Sequence, residues 1–415
     1  MKHSDDPRRT NAINRRAFLG TSLGALGLTL TAPGAKAGAL RLLGGRRREG
    51  ERTLVIIQLN GGNDVLSTLV PYADDEYHRV RKSTKIDHDT LFKVDDYRGF
   101  HPKLRKLSKR FAEGEIGVIQ GAGYPGPNRS HFKSREIWHT ADLRGRARGD
   151  GWAGRLCATK WPEESLPELS VHIGPSLPFS LHSATHPPVA FNTPDSYQWL
   201  GDEGAEGSLE MKRQDEEEER RPSSVLDHLR GVMSDARGSS ERILEAIRRY
   251  ETPVDFKGET FSQAMLTASA LIHSGHGSRV ISVTTGGFDT HAYQKGDHAT
   301  ALEKFDDGLD SFLRDVRRCE AGGRTLVVAF SEFGRRVQEN GSGGTDHGKA
   351  GLMFVAGDPV RGGLYGKYPS LTDLDDKDLR FNVDFRDVYA TATRWMGGDV
   401  EAVLDRPWAG LDYLS

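Results

Sequence analysis

Residues 53–59 read TLVIIQL, an uncharged run rich in β-branched side chains that breaks abruptly into Asn60-Gly61-Gly62. A strand with one wet face alternates apolar and polar residues, so an unbroken run of this kind needs cover on both faces. Similar runs recur at 116–120, 169–173, 280–284, 325–330 and 352–355. Between some of them apolar residues return at three- and four-residue steps, over 101–112, 261–274 and 298–318, and this spacing predicts helices. Strands alternating with helices predict an α/β fold: a doubly wound, mostly parallel sheet with helices on both faces.

The ends of the chain and one internal stretch follow other rules. Asn14-Arg15-Arg16-Ala17-Phe18-Leu19 precedes a moderately apolar run over 18–32, with Ala35-Lys36-Ala37 behind it. That run is shorter than the ~20 residues a spanning helix needs, and its order of basic, apolar and small residues is that of a cleavable signal. The arginine pair resembles a twin-arginine signal, which predicts cleavage after Ala37, engagement of the twin-arginine translocation machinery, and export to the periplasm or beyond. No stable membrane span is expected after cleavage. Residues 38–52 read as a basic, flexible mature start, and 53–415 as one domain. Within it, 201–222 carries Asp215-Glu216-Glu217-Glu218-Glu219 and almost no large apolar residue, so a mobile acidic insertion is expected.

With a formal net charge of −2, the chain has no electrostatic signature of a nucleic-acid partner. Cys157 and Cys319 lack metal-ligand spacing; a disulfide and two free thiols are both open. Neither lies in the Cys-x-Pro-x-Arg or Cys-x-Ala-x-Arg setting of formylglycine sulfatases. A Gly-x-Ser-x-Gly match at 20–24 falls inside the signal segment and marks no nucleophile elbow.

In open α/β sheets ligands bind outside the carboxyl ends of the strands, where loops converge and helix N-termini point. Polar motifs follow strand after strand here: NGGND at 60–64, GAGYPGPNRSH at 121–131, GGFDTH at 286–291 and SEFGRR at 331–336. A further loop, GSGGTDHG at 341–348, precedes the strand near 352. Each alone has an ordinary explanation, since glycines make turns, Asp64 or Ser130 can cap a helix, and Arg335 can pair with an acid. Asp289 with His291 and Asp346 with His347 are also the residue types that hold a divalent metal. Ser130, at a helix start near the positive end of the helix dipole, suits a nucleophile.

The motifs GGND, NRSHF, GGFDTH, SEFGRR and GGTDHG resemble those of the twin-arginine-exported family called domain of unknown function 1501, which looks like a branch of the alkaline-phosphatase-like and sulfatase-like superfamily. That resemblance implies metal ligands at Asp64, Asp289, His291, Glu332 and His347, and a nucleophile at Ser130. Phe333 departs from the superfamily's Asp-His pattern and removes a ligand; the short Asp289-to-His291 step leaves His298 as an alternative to His291. The chain is therefore expected to be a metal-assisted hydrolase or transferase acting on a small-molecule or glycan phosphate or sulfate ester. Zinc, manganese or calcium would serve as the ion, and Arg335 or Arg129 would neutralise the substrate anion. The competing expectation is a noncatalytic exported binding or assembly protein that keeps the scaffold.

Overall fold

The computed structural model describes residues 51–144, 148–196, 237–258 and 260–415. The twin-arginine segment, the Ala37 cleavage site, the basic start up to residue 50 and the acidic stretch at 201–222 lie outside the described residues.

The central sheet has nine strands: β1 Thr53–Leu59, β2 Ile116–Gly123, β3 Ser170–Ile173, β4 Val189–Phe191, β5 Val280–Thr285, β6 Thr325–Phe330, β7 Gly351–Ala356, β8 Gly363–Tyr365 and β9 Val383–Asp384. They lie in the order β8-β2-β7-β6-β1-β5-β3-β4, with β9 also pairing β2. β1 occupies the interior, pairing in parallel with β5 on one side and β6 on the other. Every residue of β1 is buried. Val55, Ile57 and Leu59 join one hydrophobic core, while Leu54 and Ile56 join a second on the opposite face. Two-sided burial is the physical cause of the unbroken apolar run, because the period-two alternation of side chains feeds both cores at once.

Helices cover both faces. Against the first core pack α1 Arg105–Ala112, α4 Thr260–Ser274 and α5 Gln294–Val316. Against the second pack α2 His131–Thr140, α3 Trp152–Lys160 and α6 Phe385–Trp395. Trp138 and Trp152 are core residues, stacked on Phe385 and Tyr389 respectively. Cys157 and Cys319 are free thiols, and burial pushes Cys157 up to about 12. Among the described residues no helix is long and apolar enough to cross a membrane.

One strand runs against the rest. β7 is antiparallel to both β6 and β2. A parallel return requires a crossover, usually a helix, whereas residues 331–350 are a glycine-rich loop without helical turns that brings the chain straight back. This reversal matters for the site. The loop that enters β7 and the loops that leave its parallel neighbours all stand on the same edge of the sheet.

Candidate functional site

Local stitching builds that edge from β1 and β6 outward. Ser331 Oγ accepts from the backbone N–H groups of Gly62 and Asn63 at 3.1 and 3.0 Å and donates to Leu59 O at 2.6 Å. Gly61 N–H donates to both oxygens of Glu332, at 3.1 and 3.2 Å. Gly61 and Gly62 have φ of +121° and +89°; a Cβ would lie 2.3 Å from Asp289 N at the first and 2.4 Å from the Phe333 ring at the second. Only glycine tolerates both that backbone conformation and that approach.

Three imidazoles meet one carboxylate above this base. His131, first residue of α2, is oriented through Nδ1, 2.9 Å from Glu332 Oε1, and its Nε2 stands 3.4 Å from Asp289 Oδ2. His347 donates from Nδ1 to the Arg129 carbonyl at 2.8 Å, and its Nε2 lies 3.2 Å from Asp289 Oδ1. His291 faces Asp346 Oδ1 through Nδ1 at 3.2 Å; its Nε2 is 3.2 Å from Asp289 Oδ1 and 2.9 Å from His347 Nε2. Each Nδ1 is held by an oxygen at the edge of the cluster, and each Nε2 is turned toward Asp289. Imidazole nitrogens and carboxylate oxygens at these separations need a shared proton or a cation between them.

The surroundings keep the carboxylate ionised. Although partial burial opposes it, the Arg335 guanidinium, bonded to Asp289 Oδ1 at 2.6 Å, holds this acid down at about 2. Burial pushes His347 below the usual imidazole range, and the Arg335 charge adds to the effect. The Asn340 amide, ahead of His291, keeps Asp346 low. Phe333 is buried beneath the cluster, its ring 4.9 Å from that of His131 and 4.6 Å from that of His347. It contributes no ligand but gives two of the imidazoles an apolar floor.

Of the residues singled out from sequence, Asp289, His291, Glu332 and His347 come together, with Glu332 orienting His131 from behind. His131 is not among the ligands the resemblance implies; its place directly after Ser130 in the NRSHF motif is the sequence signal for it. His291 stands at the cluster, whereas His298 is buried and faces Asn63 Oδ1 at 3.0 Å. Asp64 stands apart. It caps a short helical turn, Val65–Thr68, accepting from Leu66 N–H, and forms a fully buried ion pair with Arg81. Its oxygens also accept from Ser67 Oγ and Gln294 Nε2, so its capacity is spent inside the protein.

The two arginines expected to meet substrate are likewise committed. Arg335 is 1% exposed and donates to the carbonyls of Gly61, Gly62, Phe288 and Thr345 as well as to Asp289. It clamps three loops and fixes Asp289, which is a positioning role. Arg129 pairs with Asp376 and Asp378. A guanidinium with a better claim is Arg135, one turn after His131 on α2, which is in no ion pair among the described residues; its Nε donates to His131 O at 3.2 Å. Ser130 occupies the N-cap position of α2, is exposed, and makes no side-chain capping bond.

Over residues 201–412, just over half of its length, the chain matches the family described as protein of unknown function, DUF1501. The chain belongs to that family. The DUF1501 match takes in the Asp289, Glu332 and His347 motifs, whereas GGND and NRSHF lie before it. No curated protein matches the sequence. Among solved structures, this DUF1501 protein is similar to a protein in the alkaline phosphatase superfamily from Vibrio parahaemolyticus, at 10% identity over 88% of this chain and 72% of the other, with a TM-score of 0.42. It is also similar to a sulfatase from Pseudoalteromonas sp., at 10% identity over 87% and 71% with a TM-score of 0.40. A third is the alkaline phosphatase of the Antarctic bacterium TAB5, at 13% identity over 76% and 95% with a TM-score of 0.31.

Proposed function

We propose that this protein is an exported, metal-assisted hydrolase or transferase of phosphate or sulfate esters. The observation that carries the reading is the convergence of His131, His291 and His347 on Asp289, each imidazole with Nδ1 held by an oxygen and Nε2 turned inward. Such outer oxygens are the usual means of orienting a metal-bound histidine. The donor set fits a divalent ion, with His131, Asp289 and His347 as ligands and His291 at the exposed rim. Imidazole donors suit zinc, and the added carboxylate admits manganese, better than either suits calcium. When bound, the ion would supply charge neutralisation for the ester oxygens.

The remaining work falls to side chains of this chain. Arg335 keeps Asp289 ionised and in place, while Phe333 excludes water from beneath the imidazoles. Ser130 offers an uncommitted hydroxyl at the positive end of the α2 dipole, suited to attack phosphorus or sulfur as the alcohol departs. Arg135, one turn after His131 on α2, offers a planar fork to the ester anion. The signal at Arg15-Arg16 supports export of the folded protein.

The test is turnover of a panel of aryl phosphate and sulfate esters by metal-loaded protein beside Ser130→Ala. Turnover of at least one ester, lost by orders of magnitude in the variant, is expected; unchanged turnover removes Ser130, and no turnover on any ester removes the reaction. A second reading, a noncatalytic binding protein, is favoured by Phe333, which withholds a ligand from the cluster. Ion binding without turnover would select it.

A further inference from the structure

A cavity of 570 Å³ opens beside the cluster on the other flank of α2, and none of the three imidazoles lines it. Its wall runs from the carboxyl ends of β1 and β5, through Gln58, Asn60 and Thr284, to the loop after β3 at Ser176 and Phe179. α2 supplies Phe132 and Arg135. The volume is that of a small-molecule site.

Two polar atoms in this wall have no partner. Gln58 is 3% exposed; His139 Nε2 lies 2.8 Å from its Oε1, which leaves the amide Nε2 unsatisfied. Asn60 Oδ1 is also buried without a partner. Buried donors and acceptors are nearly always paired, and leaving them unpaired costs stability unless something else satisfies them. Gln58 continues the face of β1 that carries Leu54 and Ile56, where an apolar side chain would pack without that cost. One wall residue is unusual in the opposite sense. Phe132, next to His131, is a large hydrophobic residue left 84% exposed.

We infer that this cavity is a carbohydrate subsite, in which a sugar ring stacks on Phe132 and its hydroxyls satisfy Gln58 Nε2 and Asn60 Oδ1. A hydroxyl both donates and accepts, so neighbouring ring hydroxyls answer an amide N–H and an amide oxygen together. Thr284 and Ser176 add neutral partners at other points of the wall, which matches groups distributed around a ring. A nucleobase presents its hydrogen-bonding groups along an edge, and an alkyl chain presents none. Arg135, at the boundary between cavity and cluster, faces an acidic group carried by the same sugar. The inference rests on the ester-hydrolase reading for its biological sense: the ring is the alcohol part of an ester whose anion lies at the imidazoles.

Its test contains no ester. Saturation-transfer NMR on the full mature chain, with neutral di- and trisaccharides, adenosine and n-butanol as probes, reads binding alone. At least one saccharide is expected to bind, with its ring protons saturated most strongly. Phe132→Ala, a change at an exposed position, should weaken that binding about fivefold by loss of ring stacking, and Gln58→Leu should weaken it by a similar factor. Binding of adenosine or butanol in preference to every saccharide overturns the inference, as does saccharide binding that Phe132→Ala leaves unchanged or binding of no probe. Failure of ester turnover would leave this result intact, and failure of saccharide binding would leave the hydrolase reading intact, so the two are separable.

Discussion

Two aspartate sites a few residues from the same strand ends have similar parts and opposite states. Around Asp64, a buried arginine, a glutamine amide, a hydroxyl and a backbone N–H all donate to one carboxylate. Although burial alone would raise it, the Arg81 charge holds Asp64 low. Around Asp289 the arginine is present again, but the other neighbours are the Nε2 atoms of three imidazoles. The first site is complete as folded. The second gathers three imidazoles around a half-exposed carboxylate, and on the reading proposed above it is completed by a cation.

The largest effect should separate the two sites by stability. Arg81→Ala leaves a buried, uncompensated carboxylate and is expected to cost about 3–5 kcal/mol in urea unfolding. Asp289→Asn, in metal-free protein, retains an acceptor for Arg335 and should cost about 1 kcal/mol or less. Equal costs would erase the distinction.

Acid offers the next test. Burial depresses His172 and His298 to about 4, and His101 and His139 to about 3. In the unfolded chain these groups protonate near pH 6.5. Between that value and their folded values the unfolded state binds more protons, so stability present above about pH 6.5 is lost as pH falls toward 3. Each contributes on the order of 3 kcal/mol. Urea midpoints at pH 7 and pH 5 should differ strongly; a flat profile would place these imidazoles in solvent.

Much of this division was legible in the chain, and the limits have physical causes. The runs at 53–59 and 325–330 show β1 and β6 to the residue, because two-sided burial writes a strand directly into composition. β4, β8 and β9 are two or three residues long and carry no periodicity, so only tertiary pairing reveals them. The direction of β7 is not encoded in its own apolar residues; it follows from the absence of a helix in 331–350. Asp289, His291, Glu332 and His347, each in a polar motif at a strand end, are neighbours in the fold. The motifs could not separate Asp64 from them, since Arg81 lies seventeen positions away and its pairing is made by the fold. Arg335 misled for a related reason: a guanidinium aimed at substrate and one clamping carbonyls look alike until the acceptors are seen.

A smaller effect sharpens the second site. Asp346→Asn keeps an acceptor for His291 but removes its charge, and should weaken zinc affinity by about tenfold with little change in stability. Competition with a chromogenic chelator measures it. An affinity loss as large as that of His347→Ala would make Asp346 a ligand.

The central claim is that His131, His347 and Asp289 hold an ion. The direct measurement is the metal-to-protein ratio of the chain purified from an exporting bacterial host, beside a His131→Ala/His347→Ala double variant with an unchanged circular dichroism spectrum. Near-stoichiometric zinc or manganese in the first and none in the second is predicted. Metal-free native protein that also fails to take up added ions, or equal metal in both, would contradict the account.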